Sequence, residues 1–375
     1  MTEYSKRIVV KIGSNVLTRA DGMLDVTRLS SLVDQLAELR RAGVELVVVS
    51  SGAVASGRGE LRGLDGLGRL DQVSARQLFS AVGQAKLINR YYDFFREHGI
   101  HCGQVLATKE NFAERRHYLN QKNCMDAMLR HGVVPIVNEN DTVSITELMF
   151  TDNDELSGLI AAMMNADKLI ILSNIDGLFT GNPSDPASQL IERLETADDP
   201  TCFISSAKSS LGRGGMGSKC RIARRVAAEG IEVVLGNGKR DGIIPALAAM
   251  GEPSVPCTVF VASEAAPSGL KKWIAHSDSF AKGSLYVNAG AAEALMRGGA
   301  SVLPVGVERV EGDFEAEDIV TVCAPDGHVI AWGRVTAGAA DACALAGQSG
   351  AKPLIHADFL YVDETIKFRD NELDN

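Results

Sequence analysis

The sequence predicts an α/β protein: an open, mainly parallel sheet sandwiched by helices, followed by a small β-rich module. Three observations carry that expectation. Over the first two-thirds of the chain, near-continuously apolar runs alternate with helical patterns, as strands covered on both faces by helices do. Further on, strand-like runs become shorter and more closely spaced. The chain also has 375 residues, more than the roughly 250–300 at which a single core stops growing.

Taken in order, the strand-like runs of the first part are Ile8–Ile12, Glu45–Val49, Gly103–Ala107, Val133–Val137, Lys168–Leu172 and Glu232–Leu235. Most end in small or polar residues: Gly13-Ser14-Asn15, Ser50-Ser51-Gly52-Ala53, Thr108, Asn138-Glu139-Asn140-Asp141 and Ser173-Asn174. Ligands of open α/β sheets bind outside the carboxyl ends of the strands, so these ends point to one shared crevice. The pattern lapses at Gly251-Glu252-Pro253-Ser254-Val255-Pro256 and again over Ser263–Ser268, which reads as a linker. The runs beyond it are Ser284–Val287, Ser301–Val305, Ile319–Cys323 and His328–Val335, with a short helix over Ala291–Met296. Pro325-Asp326-Gly327 is a hairpin signal between the last two. The expected division is a first domain over 1–258, a linker over 259–277, a β module over 278–363 and a polar tail over 364–375.

Composition narrows the function classes. The chain is 45% hydrophobic and 23% charged, and no apolar run approaches the roughly 18 residues of a membrane span. The N-terminal Met1-Thr2-Glu3-Tyr4-Ser5-Lys6-Arg7 leads straight into a strand-like run without a secretory h-region. Seven scattered cysteines without a Cys-x-x-Cys pair read as reduced thiols, so a cytoplasmic location is expected and a zinc site is not. A net charge of −10 argues against avid binding to nucleic acid, which depends on neutralising phosphates.

The candidate chemistry starts at Gly212-Arg213-Gly214-Gly215-Met216-Gly217-Ser218-Lys219, a glycine-rich loop running into an amphipathic helix that Gly230 ends. Backbone N–H groups and the helix N-terminus suit a phosphate there, and Lys219 is a mobile charge suited to a phosphoryl group. Ser218 separates Gly217 from Lys219, so this is not a Walker A loop. Lys11 is out of place inside an apolar strand unless an anion awaits it, although a lysine that snorkels at a sheet edge would look the same. Ser50-Ser51-Gly52-Ala53 can receive a carboxylate or phosphate on free N–H groups, or be a plain βα turn. Asn138-Glu139-Asn140-Asp141 suits an amino acid, whose α-ammonium needs carboxylates, though Asn and Asp also form turns. In Thr151-Asp152-Asn153-Asp154-Glu155, Asp152 with Glu155 fits a capping box. A cap explains one acid of the run; a further carboxylate could orient two lysines or hold Mg²⁺ through water. There is no Ser-His-Asp set and no Gly-x-Gly-x-x-Gly after the first strand. Two lysines, amides, acids and a glycine loop fit phosphoryl transfer, which needs positioning and charge neutralisation.

The order Val-Val-Lys-Ile-Gly-Ser (9–14), Ser-Ser-Gly-Ala-Val-Ala-Ser-Gly (50–57), Val-Asn-Glu-Asn-Asp (137–141), Asp-Asn-Asp (152–154) and Gly-Gly-Met-Gly-Ser-Lys (214–219) resembles the amino acid kinase family. The last module is similar to a PUA domain. The resemblance implies a phosphotransferase that takes ATP, with Mg²⁺, and L-glutamate to ADP and L-glutamyl 5-phosphate, the committed step toward proline. It also implies proline as a feedback inhibitor and a homo-oligomer. Carried over, it gives Lys11 and Lys219 the transferring phosphoryl group, with Asp154 organising them. Ser51, Asp141 and Asn153 would bind glutamate with the backbone of Gly52 and Ala53 and with Asn138. Ser173, Asn174 and Arg213, Gly214, Gly215, Met216, Gly217, Ser218 and Lys219 would border the nucleotide, with Lys11. Asn174 stands where an aspartate is more usual and Arg213 where a threonine is common, which touches nucleotide contacts and not the reaction type. The alternatives are a family member acting on acetylglutamate, aspartate or carbamate, which do not usually carry the β module, or an RNA-binding protein. Twelve Asp/Glu against five Lys/Arg over 278–363 oppose the latter, with Glu311, Asp313, Glu315, Glu317 and Asp318 expected in one hairpin.

Overall fold

A computed structural model describes residues 3–143, 153–195, 215–264 and 281–362. The chain divides into two compact units, Met1–Lys109 with Leu119–Ala266, and Glu110–Tyr118 with Pro267–Asn375. The elements up to residue 264 are β1 (Arg7–Ile12), α1 (Ser14–Leu17), α2 (Val26–Arg41), β2 (Glu45–Ser50), α3 (Ala53–Glu60), α4 (Gln72–Glu97), β3 (Cys102–Ala107), α5 (Lys109–Ala113), α6 (Arg115–Arg130), β4 (Val134–Glu139), α7 (Asn153–Met163), β5 (Lys168–Ser173), β6 (Leu178–Phe179), β7 (Leu190–Ile191), β8 (Arg193–Leu194), α8 (Met216–Ala228), β9 (Glu232–Asn237), α9 (Ile243–Ala248) and β10 (Cys257–Phe260).

Among the described residues the first unit is built on an eight-stranded sheet in the order β3-β4-β2-β1-β5-β9-β10-β8. Pairs from β3 through β9 are parallel, and β10 runs antiparallel to β9. Alternation along each strand decides what each face meets. Ile8, Val10 and Ile12 of β1 and Leu46 and Val48 of β2 share one core cluster with Leu32 and Leu36 of α2, Leu87, Tyr91 and Phe95 of α4, and Ile243 and Leu247 of α9. The intervening Val9, Val47 and Val49 are as fully buried but lie outside that cluster, on the face where α7 packs. Lys11 has the parity of Val9 and so turns toward α7.

Helix ends follow from capping. The Asp25 carboxylate accepts from the Arg28 N–H to start α2, and Asp71 accepts from Val73 and Ser74 to start α4. Gly230, in the left-handed region at φ 80°, follows the end of α8 as the sequence predicts. Helices α3 and α4 cross with their backbones in contact, because neither carries a side chain at the crossing. A Cβ on Gly57 would lie 1.8 Å from the Phe79 carbonyl oxygen, and one on Gly83 would lie 1.8 Å from that of Ala53.

Two expectations about the boundary are corrected. The stretch 251–256 connects α9 to β10, and β10 crosses the expected edge at 258. Val259 and Phe260 are buried in the first unit's sheet, since an apolar run beside β9 is better paired than exposed. The segment Glu110–Tyr118 grouping with the second unit has no counterpart in the sequence reading.

In the second unit a five-stranded sheet is formed by β11 (Gly283–Val287), β12 (Val307–Gly312), β13 (Ile319–Cys323), β14 (Val329–Arg334) and β15 (Leu360–Val362), in the order β12-β11-β13-β14-β15. Helices lie at Ala289–Met296, near the expected one, and at Ala339–Leu345, which was not foreseen. Asp326 and Gly327 make the expected turn between β13 and β14, with Asp326 Oδ1 accepting from the His328 N–H. Ser301–Val305 is not a strand. Val302 makes an isolated bridge with Ile355, and Pro304, which has no N–H to give a ladder, opens a 3₁₀ turn. Val307–Gly312 is a strand that the sequence hid, because an edge strand can carry exposed charges. The acidic residues 311–318 therefore do not form a hairpin: β11 lies between β12 and β13.

Replacing Gly83 by alanine is expected to force α3 from α4 and cost about 1–3 kcal/mol, as overpacking does. Thermal unfolding checks it. The midpoint should fall by several degrees for Gly83→Ala and stay unchanged for Gly68→Ala, where an added Cβ meets nothing within 4 Å. Equal midpoints would show that the crossing is not tight.

Candidate active site

The carboxyl ends of β1, β2, β4 and β5 converge with the first turns of α7 and α8. Asp154, in the first turn of α7, is completely buried. Its Oδ1 meets Lys11 Nζ at 2.5 Å and its Oδ2 meets Lys219 Nζ at 2.8 Å. Burial pushes the Asp154 carboxyl up, but the charges and hydrogen bonds of Lys11 and Lys219 outweigh it and hold the group below its usual range. The snorkelling reading of Lys11 is thereby set aside: its side chain is 5% exposed and ends on a carboxylate.

On the neighbouring side, α7 opens with Asn153, whose Nδ2 donates to Ser51 Oγ at 2.9 Å and Asn138 Oδ1 at 3.0 Å. Ser51 follows β2, and its N–H donates to the Ile12 carbonyl. Gly52, at φ 108°, turns the chain into α3 and puts Ala53 at the start of that helix. Asn138 and Asp141 are buried at the end of β4 and in the turn after it. Arg76 of α4 binds Asp141 Oδ1 through Nε at 2.8 Å and Nη2 at 2.5 Å, and reaches Glu139 Oε2 at 3.1 Å. Ser80 donates to Asp141 Oδ2 at 3.2 Å, and Gln84 Oε1 accepts from Asn138 Nδ2 at 2.8 Å. Tyr91, further along the same helix, shares a buried 2.7 Å hydrogen bond with Ser50 Oγ.

On the other side of β1, Ser173 ends β5 with its Oγ 3.5 Å from Asn174 Oδ1, and its carbonyl accepts from the Gly238 N–H. Asp176, in the loop beyond, is gripped by Arg240 at 2.7 and 2.8 Å and by Asn237. The hydrogen bond from Arg240 is the main reason its carboxyl is held low. The glycine loop is corrected in one respect. Met216, Gly217, Ser218 and Lys219 belong to the first turn of α8, with Gly215 as its N-cap, so the helix starts before the lysine. The Lys219 N–H donates to the Gly215 carbonyl at 3.3 Å, which closes the first turn of the helix. Arg213, Gly214 and Asp152 lie outside the described residues.

The structure thus brings Lys11, Lys219 and Asp154 into direct contact, and joins Asn153, Ser51 and Asn138 by hydrogen bonds. Sequence reasoning missed Arg76, Ser80, Gln84, Asp176 and Arg240. The spacing of polar residues at 76, 80 and 84 along an otherwise amphipathic helix was the available signal for the first three. No group of three or more His, Cys, Asp or Glu side chains among the described residues is placed to hold a metal ion. No described helix is long and apolar enough to cross a membrane.

Comparison with known proteins identifies the family. The Amino acid kinase family matches residues 6–237 and the PUA domain matches residues 283–354. The chain is 57% identical to a Glutamate 5-kinase of Bacteroides thetaiotaomicron over 364 residues, covering 97% of this chain and 100% of that protein. It is 46% identical to a Glutamate 5-kinase of Chlorobaculum tepidum, covering 95% and 97%. In fold it is similar to a carbamate kinase from Giardia lamblia bound to AMP-PNP, with a TM-score of 0.50, 14% identity, and coverage of 69% of this chain and 99% of that one. The chain belongs to the amino acid kinase family and carries a PUA domain.

The bridge made by Asp154 has a measurable signature. Asp154→Asn leaves two ammonium groups without their shared counter-charge, and breaking a buried pair costs about 3–5 kcal/mol. A carboxyl held low in the folded state stabilises the fold at neutral pH. That contribution fades as pH falls below the ordinary value of 3.8 and is gone once Asp154 protonates in the folded protein. Urea unfolding should therefore separate wild type from Asp154→Asn widely at neutral pH and progressively less in acid. A gap that does not change with pH would contradict the bridge.

Proposed function

We propose that this chain transfers the γ-phosphoryl group of ATP to the γ-carboxylate of L-glutamate, giving ADP and L-glutamyl 5-phosphate, the first step of proline biosynthesis. The observation that carries the reading is the pair of lysines held by one buried carboxylate, next to a pocket edge of amides and acids. The glutamate 5-kinases to which the chain is similar support the choice of acceptor.

An acceptor carboxylate with an ordinary value of about 4.3 is already ionised at neutral pH, so no general base is needed. One carboxylate oxygen forms a bond to the γ-phosphorus, the bond from that phosphorus to the β,γ-bridging oxygen breaks, and ADP leaves with the electron pair. What remains for the protein is to align the partners and neutralise charge. Lys11 and Lys219 meet the negative charge spread over the transferring group and its leaving oxygen. Asp154 acts through them: with a lysine on each oxygen it fixes both ammonium groups and is not available as a base. Asn153, Ser51, Asn138 and Asp141, with the backbone of Gly52 and Ala53, hold glutamate, and Asp141 takes the α-ammonium. Ser173, Asn174 and the first turn of α8 border the nucleotide, and Arg213 and Gly214 belong with them by resemblance. Mg²⁺ enters as the companion of the ATP phosphates, which is how this ion is usually held. With both Asp154 oxygens on lysines, the described residues fit an ion carried by the nucleotide better than one caged by protein.

A coupled ADP-release assay with glutamate, aspartate, N-acetylglutamate and carbamate tests the reading, and glutamate should be preferred. Preference for another acceptor overturns it. Lys219→Ala is expected to lower kcat about a hundredfold or more while changing KM for glutamate far less. The Lys11, Lys219 double variant should lose less than the product of the single losses. Asp141→Asn should instead raise KM for glutamate and leave that for ATP nearly unchanged; steady-state kinetics with each substrate varied separates the two effects.

A further inference from the structure

Arg76, Ser80 and Gln84 stand four residues apart on α4 and therefore form one stripe along its face. Two of them meet on Asp141 and the third on Asn138, and none was assigned a part in the acceptor side above. Arg76 holds Asp141 and Glu139, Ser80 holds the other oxygen of Asp141, and Gln84 holds Asn138. The same helix meets the turn that follows β2, because Gly83 lies against Ala53 without an intervening side chain. We infer that this stripe is the positioning device for the acceptor amino acid, with Arg76 setting the charge of the site and Ser80 and Gln84 setting its geometry. The inference rests on the reading that Asn138, Asp141 and Asn153 hold glutamate.

Charge supports the first part. Glu139 and Asp141 are 3% and 5% exposed, and two buried carboxylates side by side are costly without a cation. The Arg76 guanidinium brings one positive charge against both carboxylates, beside the position proposed for the substrate ammonium. Arginine suits the place because its planar fork reaches two carboxylates at once. Geometry supports the second part. Arg76 takes Asp141 Oδ1 and Ser80 takes Oδ2 from the side of α4, so the carboxylate plane is fixed and its remaining lone pairs are those away from the helix. Gln84 Oε1 accepts from Asn138 Nδ2, which orients that amide so that its oxygen accepts from Asn153 Nδ2. Asn153 in turn donates to Ser51. The orientation of one helix side chain is thus passed to three acceptor residues.

The test uses the full-length protein and steady-state kinetics with glutamate and ATP varied separately, beside thermal unfolding of every variant. Hydrogen bonds to a charged group are worth enough that Arg76→Gln should raise KM for glutamate about tenfold to a hundredfold, with KM for ATP unchanged. Arg76→Lys, which keeps the charge but not the fork, should recover part of the loss. Ser80→Ala removes one oxygen, and Gln84→Leu one acceptor of similar size; each should raise KM for glutamate about two- to tenfold. Adding Arg76→Gln to Asp141→Asn should cost less than the two separate effects multiplied, since both act on one contact. An unchanged KM for glutamate in folded Ser80→Ala and Gln84→Leu overturns the inference, as does an equal rise in KM for ATP. Should Arg76→Gln fail to fold, those two variants decide the matter. A wild type that releases no ADP with glutamate overturns the functional reading instead, and the stripe is then judged on KM for the acceptor that does work.

Discussion

The rest of the site depends on a charge that is buried and must stay so. A carboxylate removed from water is stable only with cations at close range, and Asp154 has two, from elements far apart in the chain: β1 and α8. That requirement places the first turn of α7 over the end of β1 and draws the start of α8 to the same point. The lysines gain as much as the acid does. Held on either side of one carboxylate, they are fixed in position, and in the proposed reaction such preorganised charge costs no rearrangement.

Strand order then sorts the chemistry. β1 lies at the place where the order reverses, with β2, β4 and β3 to one side and β5 and β9 to the other. The acidic and amide groups proposed for the acceptor come from the β2 and β4 ends. The groups proposed to border the nucleotide come from β5 and α8. Lys11 sits on the strand between, which fits its proposed role at the transferring group. The division of labour is thus a consequence of topology, and it explains why residues as distant as Ser51, Asn138 and Asn153 meet.

Much of this was legible in the sequence, for specific reasons. Parallel strands buried on both faces read as apolar runs, so six of them were found within a residue or two of their ends, and Lys11 stood out because it broke such a run. Asp154 showed as an acid too many for a cap. Other features were silent because their causes lie in tertiary structure. An edge strand such as Val307–Gly312 reads as polar. The pairing of β10 with β9 overrides the Gly and Pro residues before it. Arg76, Ser80 and Gln84 look like ordinary polar residues of a long helix until α4 is laid beside β4. The start of α8 at Met216 was hidden by its own glycines, which argue for a loop locally and are overruled by the helix that follows.

The crossing of α3 and α4 has a mechanical consequence. Most helix pairs meet through side chains, which absorb small displacements by changing rotamer. At Gly57 and Gly83 there is nothing to rotate, and carbonyl oxygens occupy the space where methyl groups would be. The two helices form a stiff strut, and the turn that leads into α3 is welded to the helix that carries the polar stripe. Any breathing of the crevice must hinge elsewhere than at this crossing.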